Sequence, residues 1–80
     1  MLSKLDRAAL IWDVHPQFLR IVLQQNDGQK KVPFGFAIKK DGNDQYNYYI
    51  EEYQLRQYVG EEKWQAGLER VALEQSKGSD

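Results

Sequence analysis

Few side chains in this sequence are suited to chemistry, and their spacing narrows the choice further. Serine occurs only at Ser3, Ser76 and Ser79, threonine and cysteine are absent, and His15 is the single histidine. No nucleophile and base can be assembled from these on ordered elements, and one imidazole without thiolates leaves only carboxylates for a metal. The pairs Glu51-Glu52 and Glu61-Glu62 have the composition of a general acid and base. Each falls where a helix is expected to begin, and there the helix dipole alone accounts for negative charge. Asp41, Asn43, Gln45 and Glu52 match part of a calcium-loop pattern, but Tyr46 stands where that loop's sharp turn demands glycine. His15, next to Pro16, reads as the cap residue that terminates the first helix. The expectation is a protein that is not an enzyme and has no cofactor and no metal.

What remains is aromatic and cationic. Tyrosine occurs at Tyr46, Tyr48, Tyr49, Tyr53 and Tyr58, and tyrosine together with arginine is the composition enriched at the centres of protein interfaces. The candidate partner-binding residues are Phe18, Arg20, Lys31, Lys39, Tyr49 and Tyr53.

Two turn signals, Asn26-Asp27-Gly28-Gln29 and Asp41-Gly42-Asn43-Asp44, separate three apolar stretches that must position these residues. A two-residue turn at Asp27-Gly28 sets Leu23 opposite Val32, Ile21 opposite Phe34 and Leu19 opposite Phe36, all apolar pairs. An odd loop at the second turn extends the pattern, with Ile38 opposite Tyr48 and Phe36 opposite Ile50. An even loop would instead set Ile38 against Asn47. The reading is three strands, Phe18 to Gln25, Val32 to Lys40 and Gln45 to Glu51. For the first, a helix begun by Pro16 with Leu19, Val22 and Leu23 inward is the competitor. Pro33 calls for a bulge, since proline removes a ladder donor.

Upstream, Ser3 and Asp6 form a capping arrangement for a helix from about Lys4 to Asp13, with Leu5, Ala8, Ala9 and Trp12 on one stripe. Downstream, Leu55, Tyr58 and Val59 fit a short helix ending at Gly60, and Trp64, Leu68, Val71 and Ala72 a longer one to about Gln75. The fold class is therefore α+β, a two-layer sandwich in the order α-β-β-β-α-α. Its three-stranded antiparallel β-meander has one face covered by the N-terminal helix and the C-terminal helices. Residues 1–75 form one domain and 76–80 a flexible tail. Phe34 and Phe36 are expected in the core, and the open face carries the partner-binding residues.

Phe34-Gly35-Phe36 resembles the Phe-Gly-Phe centre of the strand that RNA recognition motifs and cold-shock domains stack on bases. That resemblance implies exposed phenylalanines, whereas the register places both inward, and Val32-Pro33 replaces the motif's basic-glycine lead. The element order is similar to that of the double-stranded RNA-binding domain, with Glu61-Glu62-Lys63 where that family has a lysine cluster.

Charge is nearly balanced at −1 but uneven, with +4 in residues 1–40 and −5 in residues 41–80. The run Ala8-Ala9-Leu10-Ile11-Trp12 is too short for a membrane span, and the absence of cysteine points to a reducing, cytoplasmic setting. The sequence thus reads as a complete, stand-alone protein-interaction module, an adaptor, subunit or inhibitor of a larger assembly, a class to which phage and mobile-element inhibitors belong by analogy. A nucleic-acid-binding regulator using the same face is the alternative. The sequence does not specify self-association.

Overall fold

The computed structural model describes residues 2–26, 32–42 and 44–77. Four helices and one two-stranded antiparallel sheet follow in the order α1 (Lys4–Trp12), α2 (Pro16–Gln24), β1 (Gly35–Lys39), β2 (Tyr46–Ile50), α3 (Glu52–Val59) and α4 (Glu61–Lys77). The protein is α+β with two strands, not three.

The segment expected as the first strand is α2. His15 caps it, with Nδ1 accepting from the Gln17 amide at 3.0 Å, and Pro16 sits in the first turn, where its missing N–H costs nothing. Leu19 and Leu23, one helical turn apart, are fully buried, while Ile21 between them is exposed. A spacing of four residues satisfies both a strand and a helix, so the apolar cross-turn pairs were compatible with either. The proline and its cap favour the helix locally. Pro33 consequently lies ahead of β1, outside any ladder, and no bulge is required.

The register of the hairpin is the second correction. Gly35 pairs with Ile50, Phe36 with Tyr49, Ala37 with Tyr48, Ile38 with Asn47 and Lys39 with Tyr46. Lys40 N–H donates to the Gln45 carbonyl at 2.8 Å, so the connecting loop is the even one, residues 41–44. The one-residue change of register leaves Tyr48 and Ile50 facing inward as expected and turns the side chains of β1 over relative to them. Ala37, Tyr48 and Ile50 therefore face the helices and are half-buried, while Phe36 and Ile38, both expected inside, are exposed.

The cover of the sheet also differs from expectation. α1 and α2 pack against it, whereas α3 and α4 pack mainly on α1 and on each other. The core is built from Leu5, Ala8, Ala9, Ile11, Leu19, Leu23, Val32, Phe34, Leu55, Trp64 and Val71. Phe34 is at its centre as the sequence implies, edge-on to Trp12 at 5.5 Å and to Tyr58 at 5.4 Å. α1 begins on Ser3, whose hydroxyl accepts from Asp6 N–H at 3.1 Å. At its other end Arg70 of α4 donates to the Leu10 and Ile11 carbonyls at 2.8 and 3.2 Å, providing partners for groups that a helix end leaves open. Gly60, at φ 89°, separates α3 from α4 as expected. Ser76 and Lys77 are helical; the rest of the expected tail lies outside the described residues, as does most of the first turn signal.

Asn26 links the end of α2 to the start of β1. Its side chain is buried, donating to the Val32 carbonyl at 3.0 Å and the Gly35 carbonyl at 2.6 Å and accepting from Val32 N–H at 3.3 Å. It does with side-chain hydrogen bonds what the expected first-strand ladder would have done with the backbone.

Candidate functional site: the outer face of the hairpin

Because α1 and α2 cover one side of a two-stranded sheet, every second side chain of β1 and β2 is directed away from them. On that outer face Phe36 lies opposite Tyr49 and Ile38 opposite Asn47. The rings of Phe36 and Tyr49 stack with centroids 5.1 Å apart and planes 21° from parallel. Exposure is 47% for Phe36, 52% for Ile38 and 46% for Tyr49. Three large apolar side chains on neighbouring pairs thus share about half their surface with solvent and carry no charge among them. An open groove of about 1010 Å³ is lined by Phe36, Ile38 and Tyr49 of this face together with Ala37, Tyr48 and Ile50 of the helix-facing side, with Lys4 and Glu51 as its charged members.

The structure brings some of the sequence candidates together and separates others. Tyr49 is on the outer face. Tyr53 follows in the first turn of α3, 66% exposed. Lys39 belongs to the other side of the hairpin, near its tip, with Nζ 3.6 Å from an Asp44 carboxylate oxygen. Phe18 and Arg20 are on α2, not on a strand. Phe18 lies against Trp12 at 5.8 Å, at the rim of a cluster that Phe34 and Tyr58 complete. Arg20 donates to the Gln17 side chain at 3.3 Å. Lys31 lies outside the described residues. The expected single face carrying aromatics and cations together is therefore not formed.

Phe36 and Ile38 are the residues that sequence reasoning missed. No single residue signals their exposure, because the even and odd loops differ by one step of register. Phe34 and Phe36, paired in the resemblance to base-stacking strands, are divided between core and surface.

One carboxylate of each pair, Glu52 and Glu61, has a structural partner. Arg7 donates from Nε and Nη2 to Glu52, tying α1 to α3. Glu61 accepts from Arg56 through two hydrogen bonds of 2.7 Å at the junction of α3 and α4. Those bonds, with one from Gln65, hold the Glu61 carboxyl below the usual carboxylate range, and the same pairing raises Arg56. Among the described residues no group of three histidines, cysteines or carboxylates is placed to hold a metal ion, and no helix is long and apolar enough to cross a membrane. The chain matches no protein-family model, no curated protein and no solved structure.

Proposed function

We propose that this chain is a non-enzymatic interaction module that binds a protein partner through the outer face of its hairpin, with Phe36, Ile38 and Tyr49 at the centre and Tyr53 at the margin. The observation that carries this reading is the half-exposed, stacked Phe36–Tyr49 pair beside an exposed Ile38 on a face that no helix covers. Contiguous exposed apolar surface of this kind marks interaction sites in small soluble domains. Lys4 and Glu51 along the groove supply both signs of charge around an apolar centre, the anatomy of a protein interface rather than of a phosphate track.

The test begins with a photo-crosslinking residue at position 38 to capture and identify the partner in the native host, followed by calorimetric titration of purified variants. Phe36→Ala and Tyr49→Ala are expected to weaken binding by about 2 kcal/mol or more each if central, with melting curves that show a folded domain. Arg20→Ala and Lys39→Ala, off this face, are expected to bind as the parent does. Unchanged affinity in both aromatic variants would exclude the face as the binding surface.

The stacked aromatic pair favours one other reading, binding of a single-stranded nucleic acid by base stacking. Titration with oligothymidylate at low salt separates the two: no binding removes this alternative, and binding that falls steeply with added salt supports it.

A further inference from the structure

The hydrogen-bond phase of the hairpin shows where its unpaired backbone lies. Lys40 N–H donates to the Gln45 carbonyl and Glu51 N–H to the Phe34 carbonyl, so the even-numbered residues of this strand exchange bonds with β2. In an antiparallel ladder the alternate residues then direct N–H and C=O away from the partner strand. These are Gly35, Ala37 and Lys39. The Gly35 carbonyl is taken by the Asn26 side chain. The outward groups of Ala37 and Lys39 have no hydrogen-bond partner among the described residues.

We propose that this edge of β1 pairs, antiparallel, with β1 of a second copy of the chain about a two-fold axis at Ile38, making a four-stranded sheet. The open groups are self-complementary about that axis, because Ala37 of each copy then lies opposite Lys39 of the other. The two Ile38 side chains meet across the axis on the outer face. Lys40 of each copy comes opposite Phe36 of the other, an ammonium beside a ring that Tyr49 already backs. Charge selects this edge over that of β2. Lys39, the charged side chain within β1 and the usual guard of an edge strand, is paired with Asp44 of its own hairpin. The same operation on β2, centred on Tyr48, would set Glu52 of each copy opposite Asp44 of the other, adding like charge beside carboxylates that Arg7 and Lys39 only partly offset. A net charge of −1 offers little long-range repulsion between copies. The pairing would merge two outer faces into one apolar platform and does not depend on what that platform binds.

Sedimentation equilibrium of the full chain, from micromolar to millimolar concentration, tests the pairing. The expected mass rises from 9.4 kDa toward twice that value. Ile38→Lys sets two ammonium groups against each other at the axis, from a position exposed enough that the monomer keeps its melting curve, and is expected to stay at the monomer mass. Ala37→Pro deletes an N–H that no bond among the described residues uses and serves as the second variant. A parent chain that remains monomeric throughout overturns the proposal, as does self-association of both variants at the parent's strength.

Discussion

Truncating Phe34 and Phe36 separately exposes the register of the hairpin to measurement. Phe34 is 1% exposed and packs edge-on against Trp12 and Tyr58. Its replacement by alanine leaves a cavity among side chains that cannot all collapse, a change that costs about 3–5 kcal/mol. Phe36 is half in solvent, so truncation there removes about half the transfer energy of a buried ring, roughly 1 kcal/mol, and opens no cavity. Loss of the stacking on Tyr49 adds about 0.5–1.5 kcal/mol. The margin of a domain this small is on the order of 3–5 kcal/mol, so Phe34→Ala should be largely unfolded and Phe36→Ala folded. Urea titrations followed by tryptophan fluorescence and far-ultraviolet circular dichroism measure both against the parent. A Phe36→Ala loss as large as that of Phe34→Ala would refute the even-loop register and return Phe36 to the core.

Three further outcomes follow from the packing. Asn26→Ala strands the Val32 amide and the Val32 and Gly35 carbonyls, and should cost about 2–4 kcal/mol in a thermal or urea melt, at roughly 1 kcal/mol or more for each orphaned group. Gly67→Ala raises helix propensity, yet a Cβ there would lie 2.6 Å from the Ile11 Cα, so overpacking of α1 on α4 should lower stability by about 1–3 kcal/mol. A gain in melting temperature would show that the two helices are farther apart. Because the Glu61 carboxyl is held below its ordinary pKa of 4.5, its contribution is fully present above that pH and lost as pH falls through the lowered value. The melting difference between the parent and Glu61→Gln should accordingly be visible at neutral pH and vanish in acid, its small size set by full exposure of the pair.

Local chemistry made much of this protein legible in its sequence. The Ser3 cap, the break at Gly60 and most of the apolar stripes of α1 and α4, where Ala72 is exposed and Gly67 buried instead, involve residues within a turn or two of one another, so short-range sterics and hydrogen bonding settle them. Tertiary packing decided the rest. Leu19 and Leu23 suit either period; Pro16 and the His15 cap favour the helix locally, and packing of the segment on α1 and the sheet completes the choice. The parity of the second loop is energetically close locally and is set at a distance, where Tyr48 turns inward to accept a 2.7 Å hydrogen bond from Gln24 of α2 and where Ala37 and Ile50 meet the helices. That single parity put Phe36 and Ile38 outside, and with them the surface on which the proposed function rests. A side-chain period of two means that no residue-by-residue preference could have placed them, because one step of register exchanges core and surface for the whole strand.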